Sequence, residues 1–301
     1  MDDRITPLAS GVILIGKVLV NRVLVIGATG NVGCEVLSQL AARDVTVRAM
    51  TRNPGAVRFS PQVEVVRGDL AIAASLDLCL EGVDTVFLIW TAPPDAVGPA
   101  MERIAKFARR VAFLSSPHRT PHPFFQQPNP LRLLHAKIER LIEAAAVDWT
   151  FLRPGIFAAN SRGWWAQQIR DSGVVRWPHV NVPTAPVHER DIAAVAVRTL
   201  CDGGHSGREY VLTGPESLSQ LEQISVIGTV LGRALRIEEI SPEEARRELA
   251  MPAYAVNMLL DAWAAAAGQP AFVTSTITEI TGAPARTFLD WAKDHAAEFL
   301  A

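Results

Sequence analysis

The segment HAKIE places two ionisable side chains, His135 and Glu139, four residues apart. Residues i and i+4 lie on the same face of a helix, so the imidazole and the carboxylate are expected to be neighbours. An anionic neighbour favours the charged form of an imidazole, which predicts that His135 donates a proton near neutral pH. A second interpretation is that His135 packs at the edge of the apolar stripe formed by Ile138 and Ile142. Glu139 would then be an ordinary surface charge.

A strand, a glycine-rich loop and a helix near residue 30 predict a site for a diphosphate. The strand RVLVI is followed by GATGNVG, in which glycines recur at every third position. The first glycine permits a tight turn, the second lets the backbone approach a pyrophosphate, and the third allows close packing of helix on strand. The helix N-terminus attracts the anion through its free N–H groups and its dipole. The residues predicted to hold a dinucleotide here are Gly27, Thr29, Gly30, Asn31, Val32 and Gly33.

The end of the second predicted strand indicates which dinucleotide is preferred. An NAD site usually carries Asp or Glu about 20 residues after the glycines, where the carboxylate accepts hydrogen bonds from the ribose. Here the segment reads VRAMTRNP, which has no carboxylate but places Arg48 and Arg52 near that position. A guanidinium suits a 2′-phosphate because its planar fork donates two charge-assisted hydrogen bonds. The sequence therefore predicts NADP(H) rather than NAD(H), with Arg52 as the contact, although both arginines could instead be solvated.

Further strand ends supply candidate cofactor contacts, because ligands of open parallel sheets bind at the carboxyl ends of the strands. Asp69 and Leu70 follow the third predicted strand, from which they would meet the adenine. Asp69 could equally cap the helix that follows. Trp90 and Thr91 end the fourth predicted strand, and Ser115 ends the fifth.

The alternation of short apolar runs with helix-length segments predicts the fold. Strands this uniformly apolar are buried on both faces, which is typical of a Rossmann-type, doubly wound α/β sheet that is parallel and covered by crossover helices. We expect residues 1–155 to form this dinucleotide-binding domain, with an N-terminal extension at 1–20. Residues 156–301 are expected to form a smaller, mostly helical substrate-binding lobe. The segment REYVLTG at 208–214 has strand character and is a candidate for returning to the main sheet.

Aromatic residues after the RPGIF turn predict a pocket for a flat, apolar substrate. The candidate substrate contacts are Phe157, Asn160 and Trp164, and the proline-rich loop at 117–130 adds Phe124 and Phe125. The prolines of that loop predict an irregular segment rather than a helix. Core packing is an alternative role for Trp164.

Composition excludes several classes of function. Lys and Arg total 29 against 31 Asp and Glu, and no basic run is present, so neither nucleic acid nor an anionic membrane is an expected partner. Cys34, Cys79 and Cys201 form no C-x-x-C pair, which argues against a disulfide framework and a metal site and favours the cytoplasm. The apolar stretch before residue 27 is interrupted by Lys17 and Arg22, short of the roughly 20 residues that span a bilayer. A small molecule is the expected partner, bound to a monomer or a homodimer.

The chain resembles the NmrA-like branch of the atypical short-chain dehydrogenase/reductase superfamily, and within it the quinone oxidoreductase type 2 and triphenylmethane reductase groups. The segments that carry this resemblance are GATGNVG, TRNP, RGDL, GVDTVFLI, HAKIERLIEAAAVDWTFLRPGIF and YVLTGPESLS. The resemblance spans about residues 22–240. It implies a nucleotide-binding domain, a small C-terminal lobe, and a cleft between them for nicotinamide and substrate. Family members include NADPH-dependent reductases of quinones and conjugated aromatics, and also regulators that bind the dinucleotide without turning it over.

The chain departs from the wider superfamily at the catalytic base. The resemblance sets HAKIE where Tyr-x-x-x-Lys is expected, and the two tyrosines, Tyr210 and Tyr254, are followed four residues later by Gly and Met. The mechanism in which lysine lowers the pKa of a neighbouring tyrosine is therefore excluded. His135 with Glu139 takes that place, and Lys137 becomes the candidate if the alignment shifts slightly.

These features predict an NADPH-dependent oxidoreductase that reduces a quinone-like or conjugated carbonyl or aromatic small molecule. Conjugation activates such acceptors, so positioning supplies much of the rate acceleration and water can supply the proton. Two alternatives remain open at this point. One is a non-catalytic redox sensor that binds NAD(P), and the other is an isomerase or epimerase that uses the cleft without net redox change.

Overall fold

The computed structural model describes residues 22–300, so the predicted extension at 1–20 lies outside the described residues. The strands are β1 Arg22–Ile26, β2 Thr46–Thr51, β3 Val63–Arg67, β4 Thr85–Leu88, β5 Arg110–Leu114, β6 Asp148–Pro154, β7 Val174–Trp177, β8 Pro183–Thr184, β9 Arg208–Leu212, β10 Leu218–Ser219 and β11 Arg236–Glu239. The helices are α1 Asn31–Leu40, α2 Leu76–Leu80, α3 Val97–Phe107, α4 Pro123–Gln126, α5 Pro130–Ala144, α6 Asn160–Asp171, α7 Glu189–Cys201, α8 Gln220–Val230, α9 Pro242–Glu248, α10 Ala253–Ala266, α11 Thr276–Thr281 and α12 Phe288–Asp294. Among these helices, none is both long enough and apolar enough to cross a membrane.

Seven of the described strands form one parallel sheet in the order β3-β2-β1-β4-β5-β6-β9. The chain builds outward from β1 to β3, then returns to β4 on the other side of β1. This reversal creates a crevice outside the carboxyl ends of β1 and β4, which is where open α/β sheets bind ligands. The predicted Rossmann-type, doubly wound fold is confirmed.

Alternate residues of the central strands explain why helices cover both faces of the sheet. Val23 and Val25 of β1 pack in the core shared with α1 and α7, whereas Leu24 and Ile26 pack in the core shared with α2, α3 and α5. All four side chains are fully buried. A strand with apolar residues on both faces is stable only between two layers, so this sequence dictates the sandwich.

The chain rejoins the sheet layer after residue 155. Helix α7 packs against α1 beneath the sheet, and β9 pairs in parallel with β6, with Leu212 opposite Pro154. The remaining helices α6, α8, α10 and α12 form a separate core that includes Trp165, Trp177 and Trp263. The small lobe is therefore built from segments on both sides of α7 and β9.

The proline-rich loop contains a short helix, so the prediction of a wholly irregular segment is wrong. Pro123 occupies the first turn of α4, where a missing N–H costs nothing, and the His122 side chain accepts the Phe124 N–H as the helix cap. Helix α5 begins in the same way, with Pro130 in its first turn and the Asn129 side chain as its cap. Prolines at helix starts thus give this loop a defined shape.

Candidate functional site

Each of the three positions in the phosphate loop is occupied by glycine for a different steric reason. Gly27 adopts a φ of +85°, which favours glycine, and a Cβ there would lie 2.7 Å from the Ile89 Cβ. A Cβ on Gly33 would lie only 2.1 Å from the Gly27 carbonyl oxygen, so α1 packs directly on the loop. A Cβ on Gly30 would touch only that oxygen, at 3.5 Å, which leaves the backbone open toward the crevice. The loop therefore fits a diphosphate at the N-terminus of α1.

A cavity of about 500 Å³ opens over this loop, and we call it the phosphate-loop cavity. Its lining residues are Gly27, Thr29, Gly30, Asn31, Val32, Met50, Thr51, Arg52, Asn53, Ala56, Val57, Gly68, Asp69, Leu70, Ile89, Thr91, Leu114 and Phe157. They come from the segments at the carboxyl ends of β1 to β5, from the start of α1, and, in the case of Phe157, from the segment after β6. Each predicted cofactor contact except Gly33, Trp90 and Ser115 is among them.

The two arginines of VRAMTRNP have different surroundings. Arg52 is exposed, lines the phosphate-loop cavity, and has no carboxylate partner within residues 22–300. Arg48 is buried within β2, where its Nη1 donates to the Leu78, Cys79 and Glu81 carbonyls and its Nε pairs with Glu64. Arg48 therefore holds α2 against the sheet, and the interpretation of Arg48 as a cofactor contact is wrong.

Strand alternation decides which residue at the end of β4 faces the cavity. Ile89 and Thr91 line it, whereas Trp90 between them is nearly buried and donates its indole N–H to the Ala92 carbonyl at 2.6 Å. Successive side chains of an extended segment point to opposite sides. Trp90 therefore points away from the cavity that its neighbours Ile89 and Thr91 face. Asp69 lines the cavity with its carboxylate accepting the Ala71 N–H at 2.9 Å. This contact closes a turn, and the cap position of α2 belongs to Ser75.

A second cavity, of about 350 Å³, lies beside the first, and we call it the aromatic cavity. Its lining residues are Ser115, Ser116, Pro117, His118, Phe124, Phe125, Gln127, Asn129, Leu131, Arg132, His135, Pro154, Gly155, Ile156, Phe157, Asn160, Met258, Leu259 and Ala262. Phe157 lines both cavities, and Leu114 of the first precedes Ser115 of the second along the chain. A dinucleotide in one cavity and an apolar molecule in the other would meet at this point.

The predicted substrate contacts divide between two places. Phe157 and Asn160 line the aromatic cavity. Trp164 does not, because its ring packs between those of Trp177 and Trp263, with centroids 5.6 and 5.9 Å away. The structure thus supports the alternative role of Trp164 in the core of the lobe.

Glu139 is the centre of a buried ion-pair network and has no solvent exposure. Arg153 on β6 grips both carboxylate oxygens, with Nε···Oε1 and Nη2···Oε2 distances of 2.9 and 2.8 Å. Ser115 donates its hydroxyl at 2.6 Å, and the His118 Nε2 lies 3.3 Å from the same carboxylate. Burial raises the pKa of the Glu139 carboxyl, but these partners outweigh it and lower the pKa to about 2. The interpretation of Glu139 as a surface charge is wrong.

His135 lines the aromatic cavity in its neutral form. Burial lowers the pKa of the imidazole from 6.5 to about 4, and the raising effect of Glu139 is too weak to compensate. Arg153 explains this weakness, since it already neutralises the carboxylate. The prediction that Glu139 makes His135 an imidazolium near neutral pH is therefore wrong. The ring packs edge-on against Phe113, and its buried Nδ1 has no hydrogen-bond partner within the described part of the chain.

The family comparison establishes the type of cofactor. Residues 27–202 match the family described as NAD(P)H-binding. The chain belongs to this NAD(P)H-binding family. The matched range starts at the first glycine of the phosphate loop and includes the Glu139 network and helix α7, so both cavities of this NAD(P)H-binding protein fall largely within it.

Two relatives that are more than 30% identical to the NAD(P)H-binding chain are named reductases. It is 38% identical over 284 residues to the (4-alkanoyl-5-oxo-2,5-dihydrofuran-3-yl)methyl phosphate reductase of Streptomyces griseus, which covers 92% of this chain and 99% of the relative. It is 32% identical over 285 residues to the NAD(P)H azoreductase of Xenophilus azovorans, with coverage of 92% and 99%. The chain is thereby placed among NAD(P)H-dependent reductases.

Solved structures share the whole architecture. The NADPH complex of the Escherichia coli NADPH-dependent quinone oxidoreductase superposes with a TM-score of 0.75 at 22% identity, covering 91% of this chain and 99% of that one. The triphenylmethane reductase of Citrobacter sp. superposes with a TM-score of 0.77 at 19% identity, covering 92% and 99%. At this identity the likeness shows the fold alone, which is the fold that the resemblance implied.

Sequence reasoning missed parts of both cavities. Met50, Ile89 and Leu114 line the phosphate-loop cavity at strand ends, and the position of those ends was a usable signal. Met258 and Leu259 of α10 line the aromatic cavity more than 90 residues after Phe157. No local pattern distinguishes them from the core residues of an amphipathic helix.

Proposed function

We propose that the chain reduces a quinone-like or other conjugated carbonyl acceptor at the expense of NADPH. The observation that carries this proposal is the meeting of the phosphate-loop cavity and the aromatic cavity at Phe157. The aromatic cavity is walled by Phe124, Phe125 and Phe157, which suit a flat acceptor. The name of one relative fits this class, since its substrate is an alkanoyl-substituted dihydrofuranone, whereas the azoreductase acts on a different unsaturated group.

The residues of the chain act mainly by positioning. When bound, NADPH supplies a hydride from C4 of its nicotinamide. Reduction of the acceptor would leave negative charge on its oxygen, and water entering the cavity would supply the proton. His135 is neutral but still carries one ring N–H, which can donate a hydrogen bond to that oxygen as its charge develops. The Glu139–Arg153 pair fixes helix α5, from which His135 projects.

The preference for NADPH over NADH belongs to the same proposal. Arg52 lines the cavity at the end of β2 and is unpaired among the described residues, so its guanidinium is free to bind a 2′-phosphate. No carboxylate lines this cavity at the end of β2 to accept hydrogen bonds from an unmodified ribose. Asp69, which does line the cavity, follows β3 instead.

The direct test is a turnover assay with purified protein. NADPH is mixed with a panel of quinones, an azo dye and an unsaturated lactone, and loss of absorbance in the reduced-nicotinamide band is followed together with loss of the acceptor. We expect stoichiometric consumption of NADPH and at least one quinone. Tight binding of NADPH with no turnover of any acceptor would contradict the proposal.

A redox sensor is the second candidate function, and the absence of a Tyr-x-x-x-Lys pair together with the neutral state of His135 favours it. A sensor should bind oxidised and reduced dinucleotides with unequal affinity and should not consume NADPH. Calorimetric titration with both forms therefore separates it from the reductase. A non-redox isomerase would convert substrate while leaving catalytic amounts of the cofactor unchanged, which product analysis would detect.

A further inference from the structure

The charged side chains that line the aromatic cavity are of one sign, positive. No carboxylate of the described residues lines it, and Arg132 is the one permanently charged side chain in its lining. The other ionisable residues there are two histidines, of which His135 is neutral. Glu139 lies behind the wall, but Arg153 neutralises it. An acceptor in this cavity therefore faces a positive charge without a negative one to balance it.

Arg132 is held in place by groups that leave its charge uncompensated. Its main-chain N–H is accepted by the Asn129 side chain at 2.6 Å, at the start of α5. Its Nη1 donates to the Gln126 main-chain oxygen at 2.8 Å and its Nη2 to the Gln126 Oε1 at 3.4 Å, and the Gln126 amide in turn donates to the Thr120 carbonyl. A guanidinium has five N–H donors, so the Nε–H and one N–H on each Nη are not used by these contacts. Within residues 22–300 no carboxylate pairs with Arg132, so the Nε and Nη2 side of the guanidinium remains for a ligand.

We propose that Arg132 binds an anionic substituent of the acceptor, either a phosphate monoester or a carboxylate. This inference rests on the proposed function and narrows it: the substrates are conjugated carbonyl compounds that carry one oxyanion. The apolar part of the lining, which includes Phe124, Phe125 and Leu259, takes their apolar part. The Streptomyces reductase supports this division, since the substrate in its name combines an alkanoyl group, an unsaturated furanone and a phosphate.

The geometry also explains the choice of arginine. A planar guanidinium donates two parallel hydrogen bonds to a phosphate or carboxylate, which a lysine ammonium cannot do. The anion would be held at the mouth of the cavity, on the first turn of α5. His135 is one turn further along the same helix, where the acceptor carbonyl would lie. A single helix would thus position both ends of the substrate.

The test measures equilibrium binding of three flat probes, 2-naphthyl phosphate, 2-naphthoate and neutral 2-naphthol, to protein saturated with NADP⁺. We expect the wild-type chain to bind at least one anionic probe about tenfold or more tightly than 2-naphthol, because charge-assisted hydrogen bonds are strong. The two anionic probes separate phosphate from carboxylate recognition. Arg132→Gln should reduce the preference to about twofold or less, and Arg132→Lys should retain part of it.

Arg140→Gln is the matched control, because Arg140 is exposed on the same helix and does not line the cavity. It removes the same charge from α5 and should leave the preference unchanged. Equal binding of all three probes by wild type, no binding of any probe, or a preference that survives Arg132→Gln would overturn the inference. The NADP⁺ complex cannot transfer hydride, so these results are independent of the turnover assay. A chain that reduces quinones but shows no preference for anions would retain the proposed function and lose this inference.

Discussion

The two cavities are built in different ways, although they meet at one residue. The phosphate-loop cavity is lined by the ends of β1 to β5 and by a loop whose glycines expose the backbone. The aromatic cavity is lined by side chains from the end of β5, from α4 and α5, from the segment after β6, and from α10. A site made of backbone in one short segment can be recognised locally. A site made of side chains from five segments depends on the whole tertiary structure.

The two cavities should also differ in the amino-acid substitutions that they tolerate. At the phosphate loop the critical property is the absence of side-chain atoms on glycine. A Cβ added at Gly33 would meet the Gly27 backbone, which cannot move aside. In the aromatic cavity the critical property is a set of buried polar contacts behind the wall, which fixes the helix that carries His135. Substitutions should therefore harm the first site by steric overlap and the second by leaving charges unpaired.

The largest effect is expected from Gly33→Ala. The new Cβ would lie 2.1 Å from the Gly27 carbonyl oxygen, so α1 must shift away from the loop. We expect dinucleotide binding to fall below detection by calorimetry. Gly98→Ala is the control, because nothing lies within 4 Å of a Cβ at this helical glycine. It should keep full binding and gain about 0.5–1 kcal/mol in free energy of unfolding. Normal binding by Gly33→Ala would show that the loop does not hold the diphosphate.

A loss of stability is expected from Glu139→Gln. The substitution leaves the buried Arg153 with the half-exposed Glu209 as its remaining carboxylate partner, and breaking a buried pair costs up to about 3–5 kcal/mol in free energy of unfolding. Urea denaturation measures this change. Glu143→Gln on the same helix is the control and should cost less than about 1 kcal/mol, because its contact with Arg119 is partly exposed. Equal, small losses in both variants would show that the Glu139 network is not structural.

The pH dependence of stability gives a second measure of this network. The pKa of Glu139 is about 2 in the folded chain and 4.5 as an ordinary carboxyl. Because the folded pKa is depressed, the stabilisation is fully present above pH 4.5 and is lost as the pH falls toward 2. Glu139→Gln should remove this part of the acid transition. A transition of unchanged steepness in the variant would contradict the assigned pKa.

The sequence predicts the phosphate loop and its neighbours well because their properties are local. Gly27, Gly30 and Gly33 have steric roles within one turn of chain, and the apolar strands dictate a two-sided sheet. Spacing also predicts that His135 and Glu139 share one helix, and both lie on α5. The charge states of His135 and Glu139 could not be predicted, because they depend on Arg153 of β6 and on Ser115 at the end of β5, which are hydrogen-bonded to Glu139.

Tertiary contacts explain the other differences between prediction and structure. Arg48 and Arg52 are both candidates in the sequence, but Arg48 lies inside β2 and bonds to α2, whereas Arg52 follows the last residue of β2 and lines the cavity. Trp164 comes soon after the RPGIF turn in the sequence, as the predicted substrate contacts Phe157 and Asn160 do. In the structure, however, its ring is packed against those of three other tryptophans of the lobe. Only the packing of distant segments distinguishes these roles.

A moderate effect on cofactor selection is expected from Arg52→Ala. Loss of charge-assisted hydrogen bonds to the 2′-phosphate should weaken NADPH binding by about 1.5–3 kcal/mol and leave NADH binding nearly unchanged. Parallel titrations with both dinucleotides measure the difference. Arg58→Ala is the control, since Arg58 is an exposed arginine nearby that does not line the cavity. Equal weakening of NADPH and NADH would assign Arg52 to general attraction of the diphosphate instead.

The smallest effect is expected from substitution of His135, and it distinguishes a hydrogen-bond donor from an acid. His135→Phe removes the N–H, so kcat/KM for a quinone should fall about two- to tenfold, the value of one neutral hydrogen bond. His135→Gln restores a donor and should recover most of the rate. With a pKa of about 4, the imidazole stays neutral above pH 5, so its contribution to the wild-type rate should be constant from pH 5.5 to 8. A wild-type rate that declines as pH rises through 7, and a His135→Phe rate that does not, would instead make His135 the proton donor.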